Sequence, residues 1–87
     1  MTDEKLVGKY IENTRQVFQQ LEESKNRYDK RAGKVLDHAR RYFDDAVFYR
    51  NQKRFDISLA SVAYCEGILD ALRLLEMIEF QWSAENK

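Results

Sequence analysis

The sequence predicts an all-α protein, an up-and-down three-helix bundle, on three observations. Its 87 residues include no proline and only three glycines, Gly8, Gly33 and Gly67, so strong chain breakers are scarce. Apolar residues recur at spacings of three and four in three separate blocks, the period of helices that bury one side. The stretches between the blocks are short and polar, and short joints make consecutive helices antiparallel neighbours. One domain is expected over residues 1–87, with helices near 3–24, 29–51 and 56–80 and a tail at 81–87. A chain this long holds a single small core.

The first helix starts at Thr2 or Asp3, either of which can cap, with Asp3 and Glu4 near the positive end of the helix dipole. Leu6, Val7, Tyr10, Ile11, Thr14, Val17, Phe18 and Leu21 form its inward stripe, and charged or amide side chains fill the rest. A polar connector, SKNRYDKRAG, follows. The second helix begins around Asp29, with Ala32, Val35, Leu36, Ala39, Tyr42, Phe43, Ala46 and Val47 facing inward. Phe48 falls among polar neighbours, so it is expected to cover an adjacent element or to touch a partner. The turn NQKR leads into the third helix, with Asp56 or Ser58 as cap and Phe55 stapling its entry against Leu59 or Ala60.

The third helix organises the rest. At about 100° per residue, Ala60, Ala63, Tyr64, Gly67, Ala71, Leu74, Leu75 and Ile78 share one face, which is read as the core side. Gly67 in mid-helix implies that a backbone or an aromatic ring such as Tyr42 or Phe43 lies close against it, since glycine there costs about 1 kcal/mol relative to alanine. A narrower seam through Val62, Cys65, Leu69 and Leu72 runs roughly opposite, and with Phe80 it gives this helix more apolar surface than two neighbours would cover. That excess marks a candidate interface at Val62, Cys65, Leu69, Leu72 and Phe80, and the favoured cover is a second copy of the chain, with another protein or the C-terminal tail folding back through Met77, Phe80 and Trp82 as the alternatives.

Composition limits the other function classes. The chain is 34% charged yet formally neutral, which argues against binding nucleic acid or a membrane surface through bulk charge. The charge is uneven all the same. Lys25, Arg27, Lys30, Arg31 and Lys34 form one basic cluster, a candidate anion-binding segment over 25–34 that makes nucleic acid a less favoured partner. Tyr64, Glu66, Asp70 and Arg73 form a candidate polar pocket for a small ligand. Two carboxylates on one helix, without a glycine-rich loop, a nucleophile motif or metal-ligand spacing, do not make an active site, so no enzyme, cofactor or metal is expected. His38, the only histidine, lies at the flank of the second helix without the Glu-x-x-His pattern of bundle metal sites. A single cysteine, the absence of a signal-like run and the absence of a long apolar stretch lead to a cytoplasmic expectation with no membrane span.

The run YFDDAVFYRNQKRFDISLASVAYCEGILDALRLL resembles the short archaeal domain-of-unknown-function family 357, in which an A-x-x-Y-x-x-D-A helix is followed by a turn and an A-x-x-Y-x-x-G-x-L-D-A helix. Ala39, Tyr42, Asp45 and Ala46 match the first pattern, and Tyr64, Gly67, Leu69, Asp70 and Ala71 the second, with Ser61 in place of the opening alanine. Family members usually carry a Gly-Asp turn where this chain has Lys53 and Arg54, and a small residue or Trp where it has Ile68. The resemblance implies a three-helix bundle from an archaeal cytoplasm and attaches no activity to it. The expectation is an interaction or scaffold module that forms a homodimer.

Overall fold

The computed structural model describes residues 4–24 and 28–82. Three helices, α1 (Glu4–Glu23), α2 (Lys30–Asn51) and α3 (Phe55–Leu74), pack around a shared core, and no strand occurs among the described residues. The order of contacts fixes their directions. On α1 and α2, Phe18 meets Phe43 edge-on at 5.5 Å between ring centroids, while Glu22, one turn on, approaches Arg40, one turn back. On α2 and α3, Ser58 reaches Ala46 and Tyr64 reaches Tyr42. Both neighbouring pairs are therefore antiparallel, and the bundle runs up, down and up.

The α1 stripe behaves as its periodicity predicts, with Val7, Ile11, Thr14, Val17, Phe18 and Leu21 buried. Leu6 at its margin is exposed, and Asn13 is buried instead. On α2 the buried set is Ala32, Leu36, Ala39, Phe43 and Ala46, while Val35 is exposed and Tyr42 and Val47 are half-buried. Alanines at three of these five positions let α3 come close. The guanidinium of Arg40 lies 4.8 Å from the centre of the Phe18 ring and that of Arg15 lies 5.4 Å from that of Phe43, so long cationic side chains cover the aromatic edge of the core.

Helix α3 is rotated relative to the expectation. Val62, Cys65, Leu69 and Leu72, with Ser58, are its buried side, and Ala60, Ala63, Tyr64, Gly67, Ala71, Leu74 and Leu75 are exposed. The physical reason is size. Burial is worth about 25 cal/mol per Å² of apolar surface, so a seam of valine, cysteine and leucine gains more from the interior than a face dominated by alanine and glycine. Ser58 does not cap α3. It is fully buried, and its hydroxyl donates to the Ala46 carbonyl at 2.6 Å, which ties α3 to α2 at their joined end. Asp56 is exposed in the first turn, and Arg54 holds the cap position without a side-chain cap bond.

Both α2 and α3 end in a Schellman motif whose left-handed residue is not glycine. At the first, the Lys53 N–H donates to Arg50 O and the Arg54 N–H to Tyr49 O, each at 2.9 Å, around Lys53 at φ 61°. At the second, the Glu76 N–H donates to Arg73 O and the Met77 N–H to Leu72 O, again at 2.9 Å, around Glu76 at φ 61°. This second motif stops α3 at Leu74, short of the predicted residue 80. Beyond it Ile78 and Phe80 are buried while Glu79 and Gln81 are exposed, the two-residue alternation of an extended chain. The Gln20 side chain clasps this strap, donating to Gln81 O at 2.7 Å and accepting from the Gln81 N–H at 2.9 Å.

Candidate functional site

Three groups of residues were candidates from sequence, and the fold separates them. Val62, Cys65, Leu69, Leu72 and Phe80 are not a surface. The first three are fully buried and the other two nearly so, inside the chain's own core, because α1 and the C-terminal strap cover what was expected to need a partner. Burial also pushes the Cys65 thiol up to about 12, chiefly by desolvating the thiolate, with the neighbouring Glu66 charge adding to it.

The polar residues of α3 do not converge on one pocket either. Tyr64 turns to α2, where its ring lies 4.4 Å from that of Tyr42 and 6.1 Å from that of His38. Asp70 lies about 120° further round the helix. Its Oδ1 accepts from Trp82 Nε1 at 2.9 Å and from Arg73 Nε at 3.0 Å, and Arg73 Nη2 lies 2.9 Å from the same oxygen as an ion pair. The indole bond is the first reason that Asp70 is held below the ordinary carboxylate range, and the Arg73 hydrogen bond and charge act in the same direction. This carboxylate is committed to holding the strap against α3. Glu66 is half-buried, with one carboxylate oxygen out of contact with solvent.

Of the basic segment, Lys25 and Arg27 lie outside the described residues, and Lys30, Arg31 and Lys34 are exposed around the start of α2. That helix end already holds an anion. Asp29 Oδ1 accepts from the Ala32 N–H at 2.8 Å, and Arg31 Nη2 lies 3.3 Å from Asp29 Oδ2. The backbone bond, aided by Arg31, holds Asp29 below its ordinary pKa, so an incoming phosphate would compete with the chain's own cap. Among the described residues no group of three or more His, Cys, Asp and Glu is placed to hold a metal ion, and no helix is long and apolar enough to cross a membrane.

What the fold leaves open is the face of α3 that sequence reasoning had turned inward. Leu74 is 67% exposed, Leu75 68% and Tyr64 51%. Ile57 of α3 and Val35 of α2 extend the same surface at 38% and 39%. Beside Leu75, a groove of about 440 Å³ runs between α2 and α3, lined by Arg31, Val35, Ile68, Ala71, Leu72, Leu75 and Met77. Gly67 sits in the middle of this face. A β-carbon there would meet nothing within 4 Å among the described residues, so the expected ring or backbone is not packed on it there. Phe48, also expected to touch something, stays 54% exposed with Tyr49 edge-on at 5.3 Å. The signal that would have identified the open face is its volume pattern, alanine and glycine against valine and leucine.

Comparison with known proteins adds a family and no activity. No curated protein and no solved structure matches the chain. A family model does, from residue 9 to residue 78, through all three helices and both Schellman turns. On that match the chain belongs to the family described as proteins of unknown function, DUF357.

Proposed function

We propose that this protein is an interaction module that self-associates through the outward face of α3 and the adjoining edge of α2. The observation that supports the reading is the exposed apolar surface from Ile57 to Leu75. The outward positions along this length, including Ala60, Ala63, Gly67 and Ala71, carry no charge, and Glu66, Asp70 and Arg73 lie toward the other flank. Contiguous exposed apolar side chains on a small folded chain mark an interaction site. A second copy presenting the same face would cover it without a further partner.

The test is sedimentation equilibrium or light scattering across protein concentrations up to the millimolar range. The native chain is expected to self-associate, and Leu74→Glu combined with Leu75→Glu is expected to give a folded monomer, because both side chains project from the bundle. Substituting Leu69 or Leu72 with a charged residue would instead unfold the chain, since both are buried. A native protein that remains strictly monomeric through the millimolar range would refute the proposal.

A further inference from the structure

We infer that the C-terminal strap is exchangeable between copies: residues 77–82 of one chain dock between α1 and the end of α3 of a second, which returns its own strap to the first. This contact is separate from the outward face of α3 proposed above, because it lies on a different side of the helix. The occupant of the groove is already seated in it. Ile78 and Phe80 are each only 6% exposed. The Trp82 indole N–H donates to Asp70, and the Gln20 side chain both donates to and accepts from the Gln81 main chain. Gln20 belongs to α1 and Asp70 to α3, both ahead of the turn that leads into the strap. The strap of an identical chain satisfies the same anchors equally well.

The joint is what favours exchange. Only Leu75, Glu76 and Met77 separate the end of α3 at Leu74 from the first buried strap residue. The chain turns there through Glu76 at φ 61°, a left-handed conformation that is costly for a residue with a β-carbon. No glycine or proline occurs from residue 68 to residue 87, and leucine, glutamate and methionine are strong helix formers. Local preference therefore opposes the turn. In the exchanged form these three residues continue α3 by about one turn. The Glu76 N–H passes from Arg73 O to Leu72 O and the Met77 N–H from Leu72 O to Arg73 O, so no backbone bond is lost. The strap borders an open cleft of about 620 Å³ shared with Tyr28 and Arg73, so it can leave without displacing a helix. Strap contacts are the same in both forms. Exchange thus costs the association of two chains and releases two strained hinges, the condition under which a short joint gives swapped dimers.

The test uses the full chain refolded from urea at about 1 mM, the effective concentration typical of a short linker, with monomer and dimer separated by gel filtration. Half of the chains carry carbon-13 and nitrogen-15 and half carry neither, so that filtered NOE spectra record only contacts between chains. The expected result is a dimer in which the indole proton of Trp82, the only tryptophan, contacts Asp70 and Gln20 of the other chain. Glu76→Gly, which relaxes the hinge in the closed monomer, is expected to lower the ratio of exchanged dimer to monomer about tenfold, and Glu76→Ala, which keeps the β-carbon, to leave it within about twofold. Circular dichroism on both variants checks that the monomer stays folded. Refolding that yields monomer alone would overturn the inference, as would a ratio that Glu76→Gly does not lower. A dimer whose Trp82 contacts stay within one chain would overturn it too, while leaving the outward face of α3 as the contact between copies.

Discussion

Replacing Lys53 with glycine is expected to stabilise the protein. Lys53 holds φ 61° because the Schellman motif at the end of α2 requires a left-handed residue between Gln52 and Arg54. For a residue with a β-carbon that conformation costs about 1–2 kcal/mol. Glycine removes this cost but loses about 0.5–1 kcal/mol through the greater freedom of its unfolded chain. The net gain is therefore about 0.5–1 kcal/mol, which for a domain of this size raises the melting temperature by about 2–8 °C. The two backbone bonds that define the turn do not involve the lysine side chain, and neither does the Arg54 guanidinium placed 5.3 Å from the Tyr49 ring centre. Both survive the substitution. Lys53→Ala is the control, because it removes the side chain while keeping the β-carbon, so it should show no comparable gain. Thermal and urea unfolding followed by circular dichroism measure the difference. Glu76→Gly repeats the argument at the other end of α3, about 30 Å away, and the two gains should add. If Lys53→Gly proved no more stable than Lys53→Ala, left-handed strain would not be the relevant energy and the reasoning would fail.

Two further outcomes follow from titrating groups. The Cys65 thiol, inaccessible and pushed up to about 12 by burial, should resist thiol reagents near neutral pH until the chain unfolds. Because an unfolded thiol ionises near its ordinary 9.0 while the folded one stays protonated, the stability this group allows is complete below that value and falls as pH rises toward about 12. Cys65→Ala should flatten that alkaline decline in urea titrations, and an unchanged slope would show that another group causes it. At the acid end, Trp82→Phe removes the indole bond to Asp70, so a carboxyl titration by NMR should find Asp70 moved up toward its ordinary 3.8. The contribution of Asp70 is present above the unfolded carboxylate value and is lost as pH falls through the lower folded one. An unmoved Asp70 would mean that Arg73 alone sets its titration.

Most of the bundle was legible in the sequence. Val7, Ile11, Thr14, Val17, Phe18 and Leu21 on α1, and Ala32, Leu36, Ala39, Phe43 and Ala46 on α2, are single stripes set against polar faces, so periodicity alone decides which side is wet. The end of α3 was hidden because the chain supplies neither proline nor glycine at Leu75 and Glu76. Ile78 and Phe80, two residues apart, carried instead the period of an extended strap, which sequence reading merged into the helix. The Gln20 clasp on Gln81 leaves no sequence signal, since amides sixty-one residues apart are brought together only by the fold.

The orientation of α3 is the instructive failure. A helix with apolar residues on two sides gives periodicity no contrast, and hydropathy treats a row of alanines much like a row of leucines. Size decides the choice. Val62, Leu69 and Leu72 fill a core that Ala60, Ala63, Gly67 and Ala71 would leave hollow, and an unfilled volume costs contacts on every wall around it. Ser58 belongs to the same seam and was misread because serine near a helix start resembles a cap, whereas here its hydroxyl finds the Ala46 carbonyl inside the core. Once the large side chains have taken the interior, the small ones are left facing outward. That outward row, with a leucine pair at one end, is the surface on which the proposed self-association rests. The reading of an extra apolar seam was thus wrong about which half of the helix the bundle consumes.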